Sequence, residues 1–258
     1  MQKKMLKEKL RNKTLTLGSW ITLGHPAIGE IMAKAGFDWL VVDLEHSVIT
    51  LEVAGDLIRT IELCGVAPLV RLTSNNPDQI KRVMDAGAHG IVVPMINSGA
   101  EAARAVAATR YAPRGTRGVG LGRAQGYGAN FKNYLDWQND DGPVVFVQIE
   151  HKDAIDRLEE ILTVPGVDGF IIGPYDLSCS MGIPGQFERP EFVAAMTRIR
   201  ETAKRLGCPA GLHIVEPDLN LLEQTINEGY TVIAYSVDIR VLDVGVRAGM
   251  AKMRGLQG

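Results

Sequence analysis

Short apolar runs rich in β-branched residues recur along the chain, and each is followed by a segment whose apolar positions fall at helical spacing. The runs predict strands at Leu17 to Thr22, Trp39 to Leu44, Pro68 to Leu72, Gly90 to Met95, Val144 to Ile149, Gly169 to Ile172, Ala210 to Ile214 and Thr231 to Tyr235. Ile28, Ile31, Met32 and Ala35 share one helical face, as do Val53, Leu57, Ile58 and Ile61, and then Ile80, Val83, Met84 and Gly87. The spacing returns in Ile155, Leu158, Ile161 and Leu162, in Val193, Met196, Ile199 and Ala203, and in Leu219, Leu222 and Ile226. Strands without strict alternation, each followed by a helix, belong to a parallel sheet covered by helices. Eight such units in 258 residues predict one (β/α)8 TIM-barrel domain spanning residues 1–258.

Two segments stand outside this rhythm. Met1 to Arg11 places Met5, Leu6 and Leu10 on one face of a short amphipathic helix; its lysines flank no apolar core or cleavage site, so it does not read as a secretory signal. Between Arg110 and Val144 the helical pattern lapses into a segment carrying Gly115, Gly118, Gly120, Gly122, Gly126 and Gly128 with Arg114, Arg117 and Arg123. A loop of roughly thirty residues inside a compact domain is usually a lid, a binding loop or a subunit contact. This one runs from helix to strand, which in a barrel turns at the face opposite the chemistry.

The composition, 46% hydrophobic and 22% charged with a net charge of −2, is that of an ordinary soluble protein and favours neither nucleic acid nor an acidic membrane as partner. No run reaches the roughly 20 apolar residues of a membrane span. Cys64, Cys179 and Cys208 are odd in number and far apart, which fits a reduced, cytoplasmic chain rather than a disulfide framework or a four-cysteine zinc site.

Chemistry in a barrel sits at the carboxyl ends of the strands. Those ends carry Asp43, Glu45 and His46, then Arg71, Gln148 and Glu150, Asp176 and His213, while the amino ends carry almost nothing comparable. Glu150 and Asp176 end adjacent strands, and neighbouring strands lie about 4.8 Å apart. Two ionised carboxylates so placed call for a cation between them; hard oxygen donors suit Mg2+ or Mn2+. The alternative for either residue is a helix cap. Arg71 ends an otherwise apolar strand, where a guanidinium needs an anionic partner. It either bridges to Glu45 or Glu150 or faces a substrate oxyanion, and the second is favoured because the carboxylates already have a rival cation. His46 follows Asp43-Leu-Glu, so a carboxylate could orient its imidazole for proton transfer, although a cap or a satisfied polar residue fits that position equally. Gly173-Pro-Tyr-Asp176 follows a strand and could turn backbone N–H groups toward a carboxylate, or be a simple turn.

Asp43-Leu-Glu-His46, Arg71, Gln148-x-Glu150 and Gly173-Pro-x-Asp-Leu-Ser178, with Ala35-Gly-Phe-Asp-Trp39, Pro94-Met95 and Arg114-Gly-x-Arg-Gly-Val-Gly120, resemble the HpcH/HpaI family of metal-dependent pyruvate aldolases from about Gly18 to Arg247. The resemblance implies a class II aldolase that reversibly cleaves 4-hydroxy-2-oxo acids to pyruvate and an aldehyde through a metal-bound enolate. It implies Glu150 and Asp176 as ligands of a divalent metal, Mg2+ or Mn2+, with Co2+ or Zn2+ as further candidates. Gln148 and Arg71 would contact the 2-oxo acid. His46, oriented by Asp43 or Asp85, would handle protons, and Gly173, Pro174 and Tyr175 would line the carboxylate site. Trp20, Leu212, His213 and Arg123 complete the expected substrate contacts. Tyr175 stands where a small residue is usual and narrows the mouth, while Arg123 and His213 could read a polar or acidic aldehyde.

The last helix, Asp238 through Met253, carries Val241, Leu242, Val244, Val246, Met250 and Met253, more apolar surface than a terminal barrel helix needs, and supports self-association. The resemblance implies a homohexamer in which this helix is exchanged between subunits. Rival readings are an enolate enzyme acting on a CoA thioester or oxaloacetate, and a non-catalytic barrel that binds a small acid.

Overall fold

The computed structural model describes residues 2–255. Eight parallel strands close into a barrel in sequence order: β1 (Thr16–Ile21), β2 (Trp39–Asp43), β3 (Ala67–Arg71), β4 (Gly90–Val93), β5 (Val144–Ile149), β6 (Gly169–Ile172), β7 (Ala210–Ile214) and β8 (Val232–Val237). β1 pairs with both β2 and β8, so no strand edge is left open. The barrel and its ring of helices confirm the predicted fold class, and five strands shift by only one or two residues at an end.

Side chains alternate across a strand, and two apolar layers result. Trp39, Val41, Leu69, Val92, Phe146, Ile171 and Ala234 fill the interior. Leu40, Val42, Val70, Ile91, Val147, Ile172 and Ile233 point outward into the layer shared with the helices. Gly18 is set by the inner layer: a Cβ there would lie 2.1 Å from the Trp39 indole, so the register that pairs it with Trp39 admits no side chain.

Helix α1 (Gln2–Arg11) closes the amino end of the barrel. Leu6 and Leu10 join the inner cluster as predicted, but Met5 is half-exposed, and the third buried contact is Lys7, whose Nζ lies 2.7 Å from both Asp168 oxygens. The outer helices are α2 (Pro26–Lys34), α3 (Leu51–Leu63), α4 (Pro77–Ala86), α5 (Gly99–Thr109), α6 (Phe131–Asn139), the pair α7 (Lys152–Asp156) and α8 (Leu158–Leu162), α9 (Pro174–Ser180), α10 (Pro190–Leu206), α11 (Leu219–Asn227) and α12 (Asp238–Gly255).

The glycine- and arginine-rich segment is a structured strap. It contains α6 and a 3-10 turn at Arg123–Gln125, neither of which was anticipated. Arg117 is its buried pivot, donating to the Tyr111 and Tyr134 hydroxyls, the Thr109 carbonyl and Asp85. A second tie joins Arg123 to Glu62 in the last turn of α3. Both ties fall on the ends of α3 and α4 that lead into the next strand, so the strap lies at the amino-end face, as its helix-to-strand position implied.

Candidate active site

The parity that fills the barrel interior with apolar residues carries polar ones inward at the carboxyl ends. Asp43 continues Trp39 and Val41, Arg71 continues Ala67 and Leu69, and Gln148 and Glu150 continue Val144 and Phe146. His213 is level with inward-facing Ala234 in the β7–β8 ladder. Leu212 has the opposite parity: it pairs with Ile172 and Ile233 and packs into the outer layer, so its expected place in the mouth is corrected.

Asp43 and Arg71 are register partners across β2 and β3. Arg71 donates from Nε and Nη2 to the two oxygens of Asp43 at 2.8 and 2.6 Å, and its Nη1 lies 3.3 Å from Glu45. Burial raises the Asp43 pKa, but hydrogen bonds and charge from Arg71, with the N–H groups of Glu45 and His46, outweigh it and hold the carboxyl below its ordinary range. Arg71 therefore does bridge to carboxylates, and only its Nη1, 3.3 Å from Glu45, is left unclaimed by Asp43 to turn toward a substrate oxygen. Its guanidinium carbon stacks 4.3 Å above the Trp20 ring, which forms the floor of the mouth.

Glu150 is the least compensated group. It is 3% exposed; Oε1 accepts from the Met95 N–H at 2.6 Å and Oε2 from Gln148 Nε2 at 2.9 Å. Burial, reinforced by the charges of Glu45 and Asp176, pushes its pKa up to about 7 despite the Met95 N–H and Arg71. Glu45 is raised as well, first by burial and then by Asp43 and Asp176, against the pull of Arg71 and His46. Asp43, Glu45 and Glu150 thus act on one buried guanidinium, Asp176 stands exposed in the first turn of α9 within electrostatic reach of Glu45 and Glu150, and the mouth has a surplus of negative charge. Gly173 leaves room for the cluster: a Cβ there would stand 2.8 Å from Glu150 Oε2. After it, Pro174 starts α9 and occupies the helical position where a missing N–H costs nothing, and the next first-turn N–H groups, on Tyr175 and Asp176, have no intrahelical acceptor. Tyr175 itself is exposed at the rim, its ring edge-on to Phe187 with centroids 5.0 Å apart.

Not every expected residue comes together. The His46 imidazole is largely exposed and its nearest carboxylate is Glu45, 3.9 Å away. Asp43 meets only the His46 backbone N–H, because Arg71 has claimed both of its oxygens. Asp85, at the end of α4, is bound to Arg117 at 2.9 Å and Arg123 to Glu62, so both are held at the amino-end face of this chain, away from the mouth. Glu45, expected only as a possible bridge to Arg71, makes that contact and also lies nearest His46, an inward position that its odd-numbered parity with Asp43 signals. The Met95 N–H was missed because a backbone at φ 54° leaves no mark in the sequence beyond the Pro94 before it.

The donors suit a divalent metal. Glu150 and Asp176 offer hard carboxylate oxygens in a site with excess negative charge, and among the described residues no group of three or more His, Cys, Asp or Glu that could hold a metal ion is found. Two carboxylates leave the remaining coordination to water and substrate, the usual arrangement for Mg2+.

A closed parallel barrel whose carboxyl end gathers acids around one guanidinium over an indole is built to act on a small anionic molecule. The chain belongs to the HpcH/HpaI aldolase/citrate lyase family, which it matches over residues 16–243. It is 40% identical over 247 residues to a pyruvate aldolase of Rhizobium etli, covering 95% of this chain and 96% of that one. To a hydroxypyruvate/pyruvate aldolase of Sagittula stellata it is 37% identical, covering 98% of each. A crystal structure of an HpcH/HpaI aldolase/citrate lyase family protein from Burkholderia cenocepacia superposes with a TM-score of 0.91 at 32% identity, covering 97% of this chain and 99% of that one. By this kinship it is a class II aldolase, a carbon–carbon lyase.

Proposed function

We propose that the mouth binds pyruvate or a close 2-oxo acid and interconverts it, with an aldehyde, and 4-hydroxy-2-oxo acids. The observation that carries this reading is the imbalance at the strand ends: Glu45, Glu150 and Asp176 are left over after Asp43 has neutralised Arg71. Glu150 and Asp176 would hold a divalent metal, Mg2+ or Mn2+ by donor type, with Co2+ or Zn2+ as alternatives. Once bound, such an ion supplies Lewis acidity at a 2-oxo group.

The residues of the chain do the rest. Asp43 fixes the guanidinium plane of Arg71, so that Nη1 faces the oxygen on which charge develops. Gln148, held to Glu150 by its amide nitrogen, keeps its Oε1 directed elsewhere in the buried site. The first-turn N–H groups of Tyr175 and Asp176 receive the substrate carboxylate. His46, largely exposed beside Glu45, would exchange protons with water or with the aldehyde oxygen. Glu45 replaces Asp43 and Asp85 as the carboxylate nearest that imidazole. The partner aldehyde enters past Tyr175. We further propose that copies of the chain associate through α12, whose exposed apolar face is described below, giving a homo-oligomer in a cytoplasmic setting. No helix of the described residues is long and apolar enough to cross a membrane.

Exchange of the pyruvate methyl protons for deuterium, followed by NMR without any aldehyde, tests this reading. Exchange should require Mg2+ or Mn2+ and stop with a chelator. Loss of carbon dioxide from oxaloacetate with no methyl exchange under any divalent metal would instead mark a decarboxylase.

A further inference from the structure

Strand β8 breaks its alternation close to the mouth. Val232 and Ala234 belong to the inner layer and Ile233 and Tyr235 to the outer one, yet Val237, the third residue after Ala234 rather than the second, also packs inward. The pairing with β1 shows where the extra residue enters. Gly18 is level with Ala234 and Trp20 with Val237, so two steps on β1 face three on β8. The bulge falls at Ser236, whose φ is 55°. Lys13, Met95 and Tyr127 are the other non-glycine residues of positive φ among the described residues, and all are exposed, whereas Ser236 is fully buried. A serine held left-handed inside a strand is strained backbone that persists only where its surroundings hold it, and bulges of this kind re-aim the side chains beside them.

The side chains beside this bulge lead to Arg71. The Ser236 carbonyl accepts from Ser19 Oγ on β1 at 3.2 Å and from the His213 imidazole on β7, while the Ser236 hydroxyl donates to the Val215 carbonyl at 3.0 Å. One residue of β8 therefore ties both neighbouring strands. Ser19 precedes Trp20, and the rings of Trp20 and His213 lie 5.3 Å apart, tilted by 54°. On the Trp20 ring rests the Arg71 guanidinium, 4.3 Å from the centroid. Asp43 grips that guanidinium along one edge. A contact along an edge fixes its position but lets the plane tilt, and the indole face removes that freedom. Just beyond the bulge, Asp238 accepts from the Thr22 and Leu23 N–H groups and closes the same seam between β1 and β8.

We propose that Ser236 is a positioning residue of this aldolase: its left-handed bulge sets Trp20 and His213 as the platform that fixes the plane of Arg71, and with it the direction of Nη1. The inference rests on the reading that Nη1 faces the oxo oxygen of a 2-oxo acid, and it assigns control of that geometry to β8. Arg71 acts on charge that develops during the reaction, so a tilted guanidinium lowers kcat more than it weakens substrate binding. The backbone of Ser236 carries the effect, because its carbonyl holds both ties to the platform and the bulge sets the level of Trp20 against Val237. The hydroxyl, bound to Val215, is secondary.

Two substitutions separate backbone from hydroxyl. Ser236→Thr keeps the hydroxyl, but a β-branched residue resists a positive φ; Ser236→Gly loses the hydroxyl and accepts that φ freely. Deuterium exchange of the pyruvate methyl protons, followed by NMR with the metal-loaded enzyme and no aldehyde, gives kcat and KM for each. In Ser236→Thr kcat should fall by about tenfold or more while KM stays within threefold, since a small misplacement of a group acting in the transition state is costly. Ser236→Gly should hold kcat within threefold of the parent. Near-ultraviolet circular dichroism establishes that each variant is folded. A bulge that is only architectural would lower the melting midpoint of Ser236→Thr and leave kcat per folded enzyme within threefold, which overturns the proposal. An equal loss of kcat in Ser236→Gly overturns it too and assigns the effect to the bond with Val215. If Ser236→Thr does not fold, Ser19→Ala decides: it removes one tie to the Ser236 carbonyl without altering β8 and should lower kcat threefold or more, and an unchanged kcat overturns the proposal. Absence of exchange in the unaltered enzyme defeats the pyruvate reading instead, and the two failures are thereby distinct.

Discussion

Arg71 and Asp43 form a buried pair in which each holds the other in the charged form. Removing one member of such a pair costs about 3–5 kcal/mol, because the survivor is left charged without a partner. Arg71→Ala should therefore lose pyruvate exchange and also lower the urea midpoint, a stability cost that the strand pattern alone did not reveal. Arg71→Ala combined with Asp43→Asn should regain most of the stability and none of the exchange. A single variant as stable as the parent would show that the pair is not buried in solution. His213 sets a second expectation at this scale. Its folded pKa of about 3 lies below the ordinary value of 6.5. Between those values the unfolded chain takes up a proton that the folded chain refuses, so stability is fully present above about pH 6.5 and declines as pH falls toward 3. The slope contributed is at most about 1.4 kcal/mol per pH unit. Urea midpoints measured from pH 7 to pH 4 should fall less steeply for His213→Leu than for the parent; parallel curves would place the imidazole in water.

At the level of elements, Gly173 links a strand end to Glu150, the carboxylate proposed to hold a metal. A Cβ there would approach Glu150 Oε2 to 2.8 Å, while the backbone at φ −94° accepts any residue, so Gly173→Ala should fold normally and displace Glu150. Binding of Mn2+, followed by calorimetry, is expected to weaken by tenfold or more; unchanged affinity would remove Glu150 from the ligand set. The barrel strands were legible because each apolar run is bounded by glycine, proline or a carboxylate, and the site was legible where inward parity could be counted: Asp43, Arg71, Gln148 and Glu150 follow it. Where contacts depend on turns rather than parity, the reading failed. β4 ends at Val93, two residues before the predicted Met95, because Pro94 has no N–H for the ladder and Met95 turns left-handed to bond Glu150. Helix α6 was hidden because it buries Tyr134, Trp137 and Gln138 within the strap rather than an apolar stripe against the sheet. Arg123 and Asp85 are expected at the mouth only from the family resemblance, and the positions of Glu62 and Arg117 reveal that each is occupied at the other end of the barrel in this chain.

For the whole molecule, the unresolved demand is α12. It runs for 18 residues, about 27 Å at 1.5 Å per residue. Its start is anchored by Asp238, which accepts from the Thr22 and Leu23 N–H groups, yet Asp238 is its only buried residue. Ile239, Val241, Leu242, Val246, Met250 and Met253 are all exposed in the single chain. Ile239, Leu242, Val246, Met250 and Met253 share one helix face, an apolar surface of the kind that marks an interaction, and we propose a second copy of the chain as its partner. Leu242→Glu with Val246→Glu leaves the barrel untouched, and substitutions at exposed positions ordinarily change stability by no more than about 0.5 kcal/mol. Light scattering coupled to size exclusion should show an oligomer for the parent and a smaller species for the double variant, whose pyruvate exchange then reveals whether the mouth is complete in one chain. If the parent is a monomer throughout the micromolar range, self-association through α12 is ruled out; if the double variant keeps the parent's mass, the seam lies elsewhere. The exposed Val119, Leu121 and Tyr127 of the strap are then the next surface to alter, since they are the apolar side chains that the Arg117 and Arg123 ties hold out toward solvent.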